Sequence, residues 1–373
     1  MIYYATAEQI QQYQQSPGLN QSSLKKIIED VIFFKDNEPE NFYEEKEHFL
    51  IGSGVDVSIT QIEADFRDQF YVMEKGDKPS DKLMSCIQRV FSTALSSGEP
   101  ISNNFRDYPQ LFYMAFNEHE YYMNLFKPNW EEDKRISKLE KESKGDYYWN
   151  ALYSSLGRTV LSTEQYNLVW TIKNSILTHP HTSMLFKLAQ EFPNDYDLVF
   201  QVPVYFYYDG VLCKGLLDAC LVNHKTKAVY PIDIKTTMKL VLQFPQVIRE
   251  RRYDFQAAYY TEGLKGIANL RAVSSIINKD ISNYFVKNFV FVVESTKFPG
   301  SPGIFECTKE LLYMGKFGRP AIYSEGIQIA REVKGFQQCI EEYKYYCENG
   351  FDTNKILKES KGRLKVNWEG IVK

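Results

Sequence analysis

The segment PIDIKTT at 231–237 sets Asp233 and Lys235 two residues apart, and KGLLDAC at 214–220 sets Asp218 ahead of Asp233 in the spacing D-x14-D-x-K. If both segments are strands joined by the polar turn NHKTK, antiparallel pairing brings the two carboxylates close together. Two carboxylates with a backbone carbonyl and water make a hard oxygen site of the kind Mg²⁺ or Mn²⁺ favours. A lysine beside such a site can orient the attacking water, help deprotonate it, or neutralise charge developing on a phosphate. Alternate residues of a half-buried strand share a face, so Ile232 and Ile234 are expected to enter the core while Asp233 and Lys235 point together elsewhere. An ordinary surface ion pair fits the same spacing. In FQAAYY, Gln256 and Tyr260 are four apart and share a helix face. Their amide and phenol can hydrogen-bond phosphate oxygens or a base edge, whereas Phe255 and Tyr259 read as core.

The elements that must position these residues follow from periodicity. LVFQVPVYFYY and VLCKGLLDACLV flank Asp209-Gly210, a favoured two-residue turn, and predict a hairpin, with AVYPIDIK as the next strand. RRYDFQAAYYTEGLKG predicts a helix, KNFVFVVES a buried strand, and FPGSPG a turn before IFEC. Before residue 195 the pattern is mostly helical. LNQSSLKKIIEDVIFF can be capped by Asn20 or Ser22, and HFLIGSGVDVSITQIEADF is a second candidate despite its glycines. LSTEQYNLVWTIKNSIL carries a capping box from Ser162 to Gln165. Residues 130–146 mix charges densely and read as an exposed helix or loop, and 322–349 read as one long helix ending at Asn349-Gly350. The expectation is a helical N-terminal region over 1–195 that wraps an α/β core at 196–310, then a C-terminal helix and basic tail at 311–373, all one structural unit.

The 373 residues suffice for a large core. No stretch approaches the run of about 18 apolar residues that a membrane span requires, and MIYYATAEQIQQ lacks the sections of a signal peptide, so the cytoplasm is expected and a membrane is not. The six cysteines (86, 213, 220, 307, 339, 347) form no CxxC, and the five histidines (48, 119, 179, 181, 224) form no HExxH. Neither pattern suits a zinc or iron–sulfur centre, and no GxSxG points to a serine hydrolase. With 44 Lys+Arg against 48 Asp+Glu, a net charge of −4, affinity for nucleic acid must come from local patches. One runs through Lys235, Lys239, Arg249, Arg251 and Arg252 against Glu250 and Asp254. The tail at 354–373 is basic too, and a solvated surface explains it as well.

GLLDAC, IDIKTT and FQAAYY, in that order, resemble the PD-(D/E)XK (restriction-endonuclease-like) nuclease superfamily. Within it the resemblance is to the RecB-type and lambda-exonuclease-like branch, nearest the exodeoxyribonuclease VIII-like group of phages. LNQSSLKKI, LIGSGVDVSI and LGRTVLSTEQYNLVWTIKNSILTHPHTSMLF extend it over most of 20–310. The resemblance implies a mixed sheet core flanked by helices, with a large helical N-terminal part. It also implies Mg²⁺ or Mn²⁺ held by Asp218, Asp233 and the Ile234 carbonyl, Lys235 serving the water nucleophile, and Gln256 and Tyr260 holding the scissile strand.

Asp56 stands where this helix in relatives often carries a histidine ligand and is expected to replace it, while His48 reads as a surface residue. Gln201 stands where many relatives have a glutamate. The cysteines that hold a cluster in some relatives have no counterpart, so no cluster is expected. Ser22, Lys239, Arg251 and Arg252 are expected on the DNA. The implied activity is a metal-dependent deoxyribonuclease, an exonuclease of phage-type recombination or DNA processing in the host cytoplasm. A single-strand annealing or replication protein, or a homo-oligomer, is the further partner suggested. A catalytically weak or inactive DNA- or partner-binding protein of the same fold, and a structure-specific endonuclease, are the other readings.

Overall fold

The computed structural model describes residues 1–29, 47–73, 79–98, 100–119, 134–135, 143–324, 327–330, 332–350, 365–367 and 370–372. In chain order these form β1 (Ile2–Tyr4), α1 (Ala7–Gln15), α2 (Gln21–Glu29), α3 (Glu47–Thr60), α4 (Glu63–Gln69), β2 (Phe70–Val72), α5 (Asp81–Ser96), α6 (Pro109–Glu118), α7 (Ser143–Ser155), β3 (Thr159–Leu161), α8 (Thr163–Thr178) and α9 (Ser183–Glu191). There follow β4 (Tyr196–Tyr208), β5 (Val211–Asn223), β6 (Ala228–Thr237), α10 (Phe244–Arg251), α11 (Tyr253–Leu264), α12 (Ile267–Ile277), β7 (Phe285–Val286), β8 (Val290–Ser295), β9 (Gly303–Glu306) and α13 (Lys309–Phe317). The last are β10 (Ile322–Ser324), β11 (Ile327–Ala330), α14 (Phe336–Asn349), β12 (Lys365–Asn367) and β13 (Gly370–Val372).

Two compact units make up the chain. One comprises Met1–Tyr43, Ile59–Gln61 and Thr171–Lys373, the other Glu44–Ser58 and Ile62–Trp170. The long strands begin at Tyr196, where the sequence period changes.

The first unit is a mixed α/β structure. Its sheet has the order β1-β4-β5-β6-β8-β9, with β7 also on β6. β4, β5 and β6 are antiparallel neighbours, whereas β8 runs parallel to β6. Asp209 and Gly210 both have positive φ, as a type I′ hairpin turn requires. Against one face pack α2, α10, α11, α12 and α14, which contribute Leu24, Phe244, Phe255, Tyr259, Val273 and Phe336 to a single buried cluster. On the other face Phe186 of α9 stacks on Phe200 of β4. β6 is buried on both faces, with Ile232 and Ile234 on one and Asp233 on the other, and seven of its ten residues are buried.

One interruption breaks the β4/β5 ladder. Pairing passes from Phe200–Ala219 to Val202–Leu217, leaving Gln201 and Asp218 opposite each other without a ladder pair. Gln201 has φ of 54°, a left-handed conformation that costs a non-glycine residue about 1 kcal/mol or more. Both strands turn over there: Val199 and Val202 reach the same cluster although three residues apart, and so do Leu217 and Cys220.

The second unit has its own core, in which Phe105, Phe112, Phe116 and Trp149 are buried together. Trp149 Nε1 donates to the Ser102 carbonyl at 3.0 Å, and β2 pairs in parallel with β3. Among the described residues no helix is long and apolar enough to cross a membrane.

Local expectations meet the structure unevenly. The capping box at α8 is present in both halves: Ser162 N donates to Gln165 Oε1 at 2.8 Å, and Gln165 N to Ser162 Oγ at 3.2 Å. Asn20 caps α2, accepting from Ser23 N at 2.7 Å. The helix expected over 48–66 breaks at Gln61-Ile62 into α3 and α4. The helix expected from 322 begins only after Gly335, because Ile327 and Ile329 alternate on β11, which pairs with β10. Most of the charged segment 130–146 and the side chains of the basic tail lie outside the described residues, as does the side chain of His48.

Candidate active site

β5 brings Asp218 to the edge of β6. The β5/β6 ladder ends at Ala219–Ile232, and just beyond that point the Ile234 N–H donates to Asp218 Oδ2 at 2.7 Å. Where the two strands part, a carboxylate takes the place of a ladder carbonyl. This fixes Asp218 beside the D-x-K segment.

Asp233 faces the helix-covered side of the sheet and is 1 % exposed. The expectation that it points away from the core fails because β6 is a central strand with both faces packed. From α11, Gln256 Nε2 donates to Asp233 Oδ1 at 2.8 Å, and Lys235 Nζ stands 2.5 Å from Asp233 Oδ2. That second oxygen accepts no hydrogen bond of ordinary geometry. Tyr260, also on α11, is buried against Gly215 of β5, where an added Cβ would meet its ring at 2.7 Å. Glycine at 215 thus sets how closely α11, with Gln256 one turn before Tyr260, approaches the sheet.

The charges are interlocked. Burial pushes the Asp233 carboxyl up, opposed by the Lys235 ammonium. Burial alone would lower Lys235, but Asp233 and Asp218 outweigh it and hold the ammonium above its usual range. Both shifts favour the protonated form. In this geometry Lys235 can orient a water or a phosphate oxygen but has no lone pair with which to take a proton.

A cation that the motifs did not indicate joins the cluster. Lys25 of α2 donates to the Arg251 carbonyl at 3.1 Å, and its ammonium lies 5.6 Å from the Tyr253 ring centre, with Lys235 at 5.4 Å from the same ring. Burial, then the neighbouring Lys235, lowers Lys25 to about 8. No residue pattern signalled it, for Lys25 reaches the cluster through the packing of α2.

The other expected residues separate. Ser22 is exposed, its Oγ accepting from Gln21 Nε2 at 2.8 Å. Lys239 pairs with Glu250 at 2.6 Å, and Arg249 and Arg251 are exposed. Arg252 is the left-handed residue between α10 and α11, and its guanidinium binds Asp254 and the Lys334 carbonyl. Gln201 Nε2 donates to Thr60 Oγ1 at 2.8 Å. Asp56 lies on α3 in the second unit, whereas the cluster of Asp218, Asp233, Lys235 and Gln256 is built from the first alone.

Among the described residues no group of three or more His, Cys, Asp or Glu side chains is arranged to hold a metal ion. The anionic donors of this cluster are the two carboxylates of Asp218 and Asp233. Mg²⁺ commonly takes one or two carboxylates and completes its shell with water and substrate phosphates. The donor set therefore fits an ion that shares its shell with substrate.

No protein-family model matches the chain, and no curated protein does. Among solved structures, a crystal structure from Eubacterium rectale described as "Putative exonuclease" matches at 10 % identity over 83 % of this chain and 80 % of that one, with a TM-score of 0.36. A likeness of that degree carries no argument about fold or activity.

Proposed function

We propose that this protein is a metal-dependent nuclease of the PD-(D/E)XK type that hydrolyses DNA phosphodiester bonds, acting as an exonuclease in DNA processing. The observation that carries the reading is the arrangement where β5 and β6 part: Gln256 donates to Asp233, Lys235 is ion-paired with Asp233, and Asp218 accepts from the Ile234 N–H between them.

Asp218, Asp233 and the Ile234 carbonyl would hold Mg²⁺ or Mn²⁺. When bound, the ion would supply Lewis acidity toward the phosphate and a more acidic water. Lys235, kept as an ammonium, holds the nucleophilic water or a phosphate oxygen in place and offsets charge that builds there. Gln256 fixes the rotamer of Asp233 through its amide. Lys25 adds positive charge beside Lys235, and the exposed Lys239, Arg249 and Arg251 would follow the DNA backbone. The test is cleavage of linear, nicked and closed circular DNA with Mg²⁺ or Mn²⁺. Loss of linear DNA alone, abolished by Asp233→Ala in a protein that still folds, is expected; full activity in that variant would sink the assignment.

A second reading is a catalytically weak or inactive DNA-binding protein of the same fold. One observation favours it: Gln201 has a left-handed backbone and its amide is engaged by Thr60. DNA binding without Mn²⁺ affinity at millimolar metal, measured by calorimetry, would select this reading.

A further inference from the structure

β6 does not end the story of its own strand. Beyond Thr237 the chain runs through Met238 and Lys239 to Leu240, Val241 and Leu242, and these last three form one wall of a groove of about 740 Å³ whose other lining includes Phe298, Ile304 and the paired rings of His179 and His181. The groove lies beside the end of β8, whose Ser295 pairs with Thr237. It therefore begins about 7 Å, two residues of strand rise, past Lys235.

Its apolar side chains are strongly exposed, Leu242 at 89 % and Phe298 at 59 %, which a fold does not require of a loop. The loop bearing Phe298 is nonetheless rigidly held. Glu294, fully buried, accepts from Ser295 N at 2.7 Å and Gly300 N at 2.9 Å and is bonded to the Ser175 hydroxyl. Ser295 Oγ in turn accepts from Phe298 N at 3.1 Å. Gly300, with φ of 120°, lets the loop turn back, and Gly303 lets Val241 approach to where a Cβ would meet it at 2.9 Å. A buried carboxylate thus fixes an exposed aromatic ring in advance of any ligand. None of the described residues lining the groove is acidic, and Lys297 precedes Phe298 in the chain, whereas Lys239, next to Leu240, is paired with Glu250.

We infer that this groove binds unpaired bases of a single DNA strand that leads to or from the cluster of Asp233 and Lys235. The inference rests on the nuclease reading and adds to it the form of the substrate. Flat rings, imidazoles and aliphatic edges stack any base, a combination that tolerates sequence and rejects paired bases. A helical peptide would ask for a smoother aliphatic trough.

The test is quenching of a 2-aminopurine-labelled single-stranded oligonucleotide by the full chain in EDTA, beside the same oligonucleotide in duplex. The parent protein is expected to quench and bind the single strand in preference. Phe298→Ala and Leu242→Ala should each weaken that binding roughly tenfold, and Phe298→Trp should preserve it, which separates stacking from loop folding. Equal affinity in parent and alanine variants overturns the proposal, as does a parent that binds only duplex or neither form. Cleavage by the parent with Mg²⁺ is read separately. A protein that binds the single strand as described but cuts nothing overturns the nuclease reading and leaves the groove in place.

Discussion

Asp197 on β4 and Asp233 on β6 belong to one sheet, are equally buried, and are treated in opposite ways. Asp197 has three positive or donating partners: the Met1 amino group at 2.9 Å, Lys279 at 2.7 Å and His224 Nε2 at 2.7 Å. Burial raises its pKa, but Lys279, the amino group and His224 outweigh it, and the carboxyl is held below its usual range. Asp233 has one charged partner, is pushed up by burial, and keeps an oxygen with no aligned donor. A carboxylate whose oxygens are all matched holds a structure together. One buried with a single charged partner and raised above its usual range is a candidate for chemistry.

Substitution separates the two most sharply. Asp233→Asn should lower DNA cleavage by about a thousandfold while costing less in stability than the Asp197 change, since burial already disfavours the ionised Asp233 carboxyl and Asp218 remains near Lys235. A cleavage rate within tenfold of the parent would remove Asp233 from the site. Asp197→Asn should do the reverse, costing about 2–3 kcal/mol because it breaks hydrogen-bonded ion pairs around a fully buried carboxylate. A urea midpoint unchanged from the parent would show the network to be idle.

The same contrast has a pH signature. Asp197 titrates lower in the folded chain than its ordinary 3.8, so the unfolded chain binds the proton first. The stability it contributes is present above that value and is lost as pH falls below it toward the folded pKa. Acid unfolding should therefore be steeper below about pH 4 in the parent than in Asp197→Asn, as followed by circular dichroism; parallel curves would contradict the assignment.

Smaller effects are expected further out. Gly215→Ala places a methyl 2.7 Å from the Tyr260 ring and should cost about 1–3 kcal/mol, with a fall in cleavage as α11 and Gln256 shift. A variant with unchanged melting and activity would mean that α11 moves freely. Smallest is Lys239→Gln, which breaks an exposed pair with Glu250. Stability should change by less than about 1 kcal/mol, and the salt dependence of DNA binding should lose about one unit of slope. An unaltered slope places Lys239 off the DNA.

Much of this geometry was legible where a local rule acts alone. Asp209-Gly210 demands its turn, Ser162 and Gln165 cap α8 reciprocally, and Asp218 meets the D-x-K strand because a short turn joins antiparallel neighbours. What escaped depends on neighbours distant in sequence. The alternation of Ile232, Asp233, Ile234 and Lys235 suggested one dry and one wet face, but α11 covers the second, a fact held in the sequence of another element. Lys25 belongs to the cluster only because α2 packs on the same sheet face as α10 and α11. Gln201 has no residue signature for a left-handed conformation, and Gly335 marked a helix start that a run of mixed apolar residues concealed.

The turning over of β4 and β5 at Gln201 and Asp218 has a consequence for how this hairpin can vary. On either side of that point the strands present opposite parities to the same buried cluster, so each half is keyed to its packing independently. Loss or gain of one residue between the crossing and the Asp209-Gly210 turn would throw the outer half out of phase while the inner half stayed in place. Tolerance to length change should therefore be confined to the turn, and the carboxylate of Asp218 marks the place where the strand pair has no slack.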